Sequence, residues 1–311
     1  MAPPNSVREK IITAYKPSSF IEPFSQPLPG SDRDMTPLAE HTKLEKWDDD
    51  GKPYLEEYVG SGKLLDKKAI ITGGDSGIGR SVATFFAREG ADVTIIYLPE
   101  EEHDAADTKA LVEKAGRKCL CIAADLRKEE NCKAVVDKHI AEYGKINILV
   151  NNHAKQIQCK WVQDMQAENI QDSFQTNVIS FFYMTKHAIP HMKRGASIIN
   201  SSSVVGFKGS FAMLDYSAGK AAIVAFSKSL AGQQAPNGIR VNAVAPGACY
   251  TPLQPASRTP EQMHNWGLGE IPLRGRVAQP AEMAGIYVFL ASAESNFSSG
   301  ATYHINGAQT M

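Results

Sequence analysis

From residue 67 onward short apolar runs alternate with helical stretches, and few folds accept that order. Strands are expected at 68–72, 93–97, 119–124, 146–150, 196–201 and 239–244, with a last short one at 302–305. Helices are expected over 78–88, 100–115, 128–143, 167–192, 213–234 and 281–291. A helix between two strands carries the chain back across a face of the sheet, so successive strands run parallel. The pattern predicts an α/β fold: one doubly wound parallel sheet with helices on both faces. Segment 248–276 breaks the alternation and is the natural lid over a substrate. Residues 65–311 then form one domain, and residues 1–64 an irregular N-terminal extension. In that lead Pro3, Pro4, Pro17, Pro23, Pro27, Pro29 and Pro37 break regular elements. It either wraps the surface or a partner subunit, or stays a disordered tail.

Composition excludes several function classes. The 311 residues are 43% hydrophobic and 22% charged, with a formal net charge of -1. That charge offers nothing to nucleic acid or to an anionic membrane. No apolar run reaches the roughly 18–20 residues that span a bilayer. Residues 1–16 lack the apolar core of a secretory signal. Arg8, Lys10 and Lys16 hint at a mitochondrial presequence, but Glu9 and the prolines oppose it. The five cysteines, Cys119, Cys121, Cys132, Cys159 and Cys249, are odd in number with no C-x-x-C pair. Reduced thiols in a cytoplasmic protein are expected. His187 and His191 share a helical face, yet no carboxylate partner is apparent in the sequence, so no metal site is expected.

Two motifs carry chemistry. Thr72-Gly73-Gly74-Asp75-Ser76-Gly77-Ile78-Gly79 joins the first strand to the first helix. Gly73 permits the tight turn, Gly77 lets backbone approach a pyrophosphate, and Gly79 lets helix pack on sheet. The helix N-terminus offers free N–H groups and the positive end of its dipole to phosphate. This is dinucleotide-binding Rossmann chemistry. Downstream, Tyr216 and Lys220 stand four apart on one helical face, with Ser203 thirteen residues before the tyrosine. A cation beside a phenol lowers its pKa and fits it for acid/base work on carbonyls and alcohols.

The spacing T-G-x-x-x-G-x-G together with Tyr216-x-x-x-Lys220 resembles the short-chain dehydrogenase/reductase family over about residues 64–311. Asn151-Asn152, Thr176-Asn177-Val178, Ser203, Asn242-Ala243-Val244-Ala245-Pro246-Gly247 with Thr251, and His304-Ile305-Asn306-Gly307 follow in that family's order. The lead, with Gly60-Ser61-Gly62-Lys63-Leu64 and the Gly73-Gly74-Asp75-Ser76-Gly77 turn, resembles a bacterial and fungal subgroup with N-terminal extensions. The resemblance implies an NAD(P)-dependent oxidoreductase acting on a carbonyl/alcohol pair. Tyr216 would give or take the proton, and Lys220 would lower its pKa and bind the nicotinamide ribose. Ser203 would hold the substrate oxygen, and Asn177 would anchor a water. Cofactor contacts are implied at Thr72, Gly73, Ser76, Gly77, Ile78 and Gly79, then at Tyr97, Asp125, Leu126 and Asn152. Pro246, Gly247 and Thr251, with Tyr216 and Lys220, complete the set. Ser201 and Ser202 are read as structural.

The cofactor's phosphate is harder to read. The end of strand two offers Tyr97 where NAD enzymes place an acid, and Leu98 where an arginine would mark NADP. Lacking the acid, the chain is read as favouring NADP(H) over NAD(H). Glu100, Glu101 and Glu102 are read as opening the next helix. Arg80 either reaches the phosphates or is solvated. The family usually has Asn-Asn-Ala-Gly where this chain has Asn151-Asn152-His153-Ala154. His153 either contacts substrate and titrates near neutral pH, or is a hydrogen-bonded structural histidine. Gln156, Phe207, Met213, Leu214, Tyr250, Met263 and Trp266 are the pocket candidates, pointing to a bulky apolar substrate. Apolar helices around Phe181-Phe182-Tyr183-Met184 and Ala221 to Phe226 imply a homo-oligomer, dimer or tetramer. Two other functions stay open: an isomerase or cyclase on the same fold without net redox, and a dinucleotide-sensing regulator.

Overall fold

The computed structural model describes residues 11–15 and 21–309. Pro3, Pro4, Pro17, Arg8, Lys10 and Lys16 lie outside the described residues. In the lead, β1 (Lys43–Trp47) and β2 (Pro53–Glu57) form an antiparallel hairpin. The main sheet holds β3 (Lys68–Thr72), β4 (Asp92–Tyr97), β5 (Cys119–Ala123) and β6 (Ile146–Asn151), then β7 (Met192–Ser201), β8 (Arg240–Pro246) and β9 (Thr302–Ile305). Its order is β5-β4-β3-β6-β7-β8-β9, with every pairing parallel. The chain winds outward one way from β3 to β5 and the other way from β6 to β9. The switch point therefore lies between β3 and β6, where ligands of such sheets bind.

Alternation along each strand builds two apolar layers. Ile71, Ile95, Val150 and Ile199 face one side, with α1 (Gly77–Arg88), α2 (Glu102–Lys114) and α9 (Pro280–Ala291) packed there through Phe85, Phe86, Val112 and Tyr287. Their chain neighbours Ile70, Ile96, Leu149 and Ile198 face the other side. There α3 (Glu129–Tyr143), α5 (Ser180–Ala188) and α7 (Leu214–Gln234) supply Val135, Met184 and Leu230. The remaining helices are short: α4 (Ala167–Phe174), α6 (Val205–Lys208) and, in the lid, α8 (Pro260–Met263).

Two expectations need correction. The helix expected over 167–192 is two helices joined by a π turn, Gln175–Ile179. It ends before a 3₁₀ turn at Ile189–His191, where Pro190 lacks the N–H a helix needs. Strand β7 accordingly starts at Met192, four residues before the expected start at 196.

The described part of the lead is neither formless nor detached. Its hairpin closes on Asp48, whose Oδ1 accepts from the N–H groups of Asp50 and Lys52, and Gly51 takes φ +75°. Tyr58 stacks on Phe85 of α1 at 3.9 Å between ring centres. Glu45 pairs with Arg276 at 3.2 Å and with Arg274. Ile21 and Met35 share an apolar cluster with Tyr250 and Met263 of the lid and with Val277 just beyond it. The described lead thus straps the lid to α1 and α9.

Candidate active site

A cleft of about 900 Å³ runs along the carboxyl ends of the strands over the switch point. The glycine turn forms one wall with Gly73, Ser76, Gly77 and Ile78. Tyr97, Asp125 and Leu126 line one end, and Asn152, Ser203, Tyr216, Lys220, Pro246, Gly247 and Thr251 line the rest. His153, Gln156, Met213 and Trp266 also line it. Thr72, Gly79 and Asn177 lie outside the lining: Thr72 and Asn177 are fully buried, and Gly79 is buried within α1.

The turn is built for close approach. Gly73 and Gly77 adopt φ +61° and +51°, a region only glycine enters without strain. A Cβ on Gly79 would stand 1.8 Å from the Gly73 carbonyl oxygen. A Cβ on Gly77 would press on Thr251 Cγ2 at 3.1 Å. A bare backbone at a helix N-terminus, open to a cleft, fits the pyrophosphate of a dinucleotide.

Beneath the turn lies a buried ionic network. Asp32 of the lead accepts the Gly77 N–H at 2.9 Å and lies 3.1 Å from His41 and 3.4 Å from Arg80. Arg80 also donates to Asp104 at 3.1 Å and to the Asp75 carbonyl at 2.9 Å. Arg80 neither reaches for phosphates nor stands in solvent; it is 7% exposed and braces the turn from below.

At the switch point His153 is a structural residue. Its Nδ1 lies 2.7 Å from Thr72 Oγ1 and its Nε2 2.7 Å from Ser180 Oγ. Ser180 gives its own proton to the Thr176 carbonyl, so it accepts from Nε2–H. Nδ1 then accepts from Thr72, which fixes the tautomer. Burial, with Lys220 nearby, pushes the imidazole down to about 3, so it stays neutral at ordinary pH. The expected titration near neutrality is therefore corrected.

The catalytic candidates come together at the mouth of the sheet. Ser203 follows β7, and Val205 N–H lies 3.4 Å from its Oγ. Tyr216 and Lys220 project from α7. Lys220 is 1% exposed, donates to the Ser201 carbonyl at 2.8 Å and lies 5.4 Å from the centre of the Tyr216 ring. Burial lowers its pKa to about 7. Burial raises the Tyr216 phenol well above its ordinary value, and the cation that opposes the rise is Arg258 of the lid. Asn177, in the π turn, spends its amide on Lys155, donating to the carbonyl at 2.8 Å and accepting from the N–H at 3.0 Å. It thereby holds the strand-end loop below the cleft. Ser202 donates to the Lys220 carbonyl and Ser201 bonds Tyr287, both structural roles.

The lid wall is more polar than expected. Gln156 donates to Ser257 Oγ at 2.6 Å, tying the loop after β6 to the lid. Arg258 lies over the Trp266 ring at 4.6 Å and donates to Gln254 Oε1. Tyr250 is corrected as a substrate contact: it is buried, its hydroxyl donates to the Pro37 carbonyl, and it packs on the lead. Met263 is buried in the same cluster, and Phe207 and Leu214 lie outside the cleft wall.

At the far end Asp125 is held below the usual carboxylate range by Arg127, which bridges it to Asp172 at 2.6 Å each. Tyr97 donates to Glu102 at 2.8 Å. Asp75 and Glu101 both line the cleft, and burial raises the pKa of both carboxyls, with the charge of Asp104 adding to the rise at Asp75 and that of Asp75 to the rise at Glu101. Sequence reading missed this pair, because Asp75 looked like a turn residue and Glu101 like a helix opener. Glu101 does cap the Leu98 N–H at 2.8 Å. His187, expected to lack an acid, lies 3.2 Å from Glu129 of α3.

A family model described as enoyl-(acyl carrier protein) reductase matches residues 73–309. The uncharacterized oxidoreductase YhdF of Bacillus subtilis is 47% identical over 82% of this chain and 87% of its own. The chloroplastic NADPH-dependent aldehyde reductase 1 of Arabidopsis thaliana is 45% identical over 82% of this chain and 90% of its own. A crystal structure of a short chain dehydrogenase from Burkholderia cenocepacia J2315 in complex with NADP superimposes with TM-score 0.73. It is 28% identical and covers 79% of this chain and 98% of that one. The chain belongs to the short-chain dehydrogenase/reductase family. This short-chain dehydrogenase/reductase is thus an oxidoreductase of a family that binds a nicotinamide cofactor. The bare glycine backbone and the cleft beside Tyr216 fit such a group. No helix among its described residues is long and apolar enough to cross a membrane.

Proposed function

We propose that the protein reduces an aldehyde or ketone to an alcohol, or the reverse, and so acts on CH–OH groups. The observation that carries this is the convergence of Ser203, Tyr216 and Lys220 on the cleft that begins at the glycine turn. A dihydronicotinamide held in this cleft would supply the hydride for reduction, and the carbonyl oxygen would then need a proton. Tyr216 gives that proton, and in the oxidative direction takes it back. Ser203, which lines the cleft, holds the substrate oxygen and stabilises charge developing on it. Lys220, deep beside the tyrosine, holds the ribose and favours the phenolate when charged. Asn177 keeps the loop of Lys155 in place below them. The glycine turn with Ser76 and Ile78 would hold the pyrophosphate, Asn152, Pro246, Gly247 and Thr251 the nicotinamide half, and Tyr97, Asp125 and Leu126 the adenosine.

NADP(H) is favoured over NAD(H). The names of the Arabidopsis relative and the Burkholderia neighbour support it. So do the raised pKa values of Asp75 and Glu101, which lessen the repulsion of a 2′-phosphate near neutral pH. The raised pKa values give a sign: as pH rises from 7 to 9 the pair ionises and repels the extra phosphate. The ratio of kcat/KM for NADPH to that for NADH is then expected to fall several-fold, somewhat less than the tenfold that roughly 1.4 kcal/mol would give. Steady-state assays with both cofactors across that range check it; a flat or rising ratio contradicts the charge argument.

Phe182 is 48% exposed and lies 4.2 Å from Phe226 between ring centres. A half-exposed aromatic ring packed on a partly buried one from a second helix favours a homo-oligomer, dimer or tetramer, through this face. Light scattering that gave the monomer mass at micromolar concentration would oppose it. The five cysteines, all unpaired, favour the cytoplasm, which cell fractionation tests. The lead, 1–64, is proposed to serve the catalytic domain, 65–311, as a strap across its lid.

A further inference from the structure

We propose that Arg258 forms an anion subsite in the substrate half of the cleft, so that the substrate is a carbonyl compound bearing a carboxylate or phosphate. This rests on the redox reading above and names the substrate class for the same site.

The argument starts from the company the arginines keep. Arg80, Arg117, Arg127 and Arg276 each lie within 3.2 Å of a carboxylate oxygen. Arg240 pairs with no acid but is satisfied by Ser295 and by the carbonyls of Leu290 and Ser292. Arg258 differs from all of these. It lines the cleft, and its partners are neutral: Gln254 Oε1, Ser257 Oγ at 3.5 Å and the Trp266 ring. Among the described residues no carboxylate lies within ion-pair reach of it, and only its Nη1 finds an acceptor. Burial lowers its pKa to about 10, a large shift for a guanidinium.

A partly desolvated cation without a counter-charge is costly. The Trp266 face holds the guanidinium plane, and the Gln156–Ser257 bond holds the turn that carries it. The free edge of the fork, Nε and Nη2, matches the two oxygens of a carboxylate or phosphate. Its neighbourhood is the substrate half. Arg258 is the cation that acts on the Tyr216 phenol, and the adenosine end is lined by other residues. A substrate with its carbonyl at Tyr216 and Ser203 can therefore lay an anionic group on Arg258. The sequence-based expectation of a bulky apolar substrate gives way to this one.

The test uses matched pairs of probes with NADPH: 4-oxobutanoate against butanal, and glyceraldehyde 3-phosphate against glyceraldehyde. Wild type, Arg258→Met and Arg258→Lys are compared, with NADPH affinity measured by fluorescence for each. The charged member of at least one pair should have the higher kcat/KM by tenfold or more. The first pair reports a carboxylate and the second a phosphate. Arg258→Met should erase that preference by lowering kcat/KM for the charged member at least tenfold more than for the neutral one, and leave NADPH affinity within about twofold; Arg258→Lys should keep part of it. Turnover with no charge preference in either pair overturns this proposal alone. So does an equal loss on charged and neutral probes. A matching loss of NADPH affinity also overturns it, and assigns the arginine to the cofactor. Bound NADPH with no turnover of any probe overturns the redox reading and this proposal together.

Discussion

Tyr216→Phe is expected to lower kcat for carbonyl reduction by about 10³-fold, the order that a positioned acid/base contributes. The substitution removes one oxygen from a residue that is buried yet lines the cleft. No hydrogen bond within the fold depends on that oxygen among the described residues, so the folded state should survive. Cofactor affinity should stay within a few-fold, because the turn, Lys220 and Thr251 are untouched. The free protein presents a phenol whose pKa is raised by burial, with Lys220 directed at Ser201 rather than at the phenol. The proton donor is thus held in its neutral form, the state needed for reduction. Stopped-flow measurement of a single turnover isolates the step. A variant that retains more than a tenth of wild-type turnover would remove Tyr216 from the proton transfer.

Asp32→Ala should be the most damaging single change in the lead, costing roughly 3–5 kcal/mol of stability. The carboxylate is 3% exposed and satisfies the Gly77 N–H, while facing His41 and Arg80. Removing it leaves Arg80 with less counter-charge and a buried N–H without its acceptor. Burial alone would raise the Asp32 pKa, but His41 first and Arg80 next hold it below the usual range. A depressed folded pKa means its contribution is present above about pH 3.9, the unfolded value, and is lost as pH falls through the folded one. The gap between wild type and variant should therefore be full at pH 7 and shrink in strong acid. Asp32→Asn should fall between, since the amide can still accept from Gly77. Urea unfolding of the full chain measures all three. An unchanged midpoint for Asp32→Ala would make the lead a passive tail.

The sheet was legible because fully buried strands leave apolar runs no polar surface can mimic. Each strand from β3 to β6 starts and ends within a residue or so of the run that announced it. The glycine turn and the Tyr216–Lys220 pair were legible for another reason: backbone approach and helical spacing are written in residue type and count. What stayed hidden depends on tertiary contact. The β1–β2 hairpin is short and half exposed, and it gains its support from Phe85, Arg274 and Arg276 far along the chain. Its Asp50-Gly51 turn was the one local signal for it. Arg80 read as either a phosphate contact or a solvated residue because its partners, Asp32 and Asp104, come from separate elements. Tyr250 looked like a lid aromatic, but the lead takes its inner face. Arg258 carried no signal beyond being basic in a lid, since its distinction is the absence of an acid nearby.

The central claim is net hydride transfer to a carbonyl at this cleft. Its most direct test is the 340 nm absorbance of NADPH, followed with purified wild-type protein over a panel of aldehydes and ketones, with alcohol product quantified in parallel. The account predicts that one mole of alcohol forms for each mole of NADPH consumed. NADPH that binds but is not consumed across the panel, or a substrate that changes while absorbance holds constant, would contradict it.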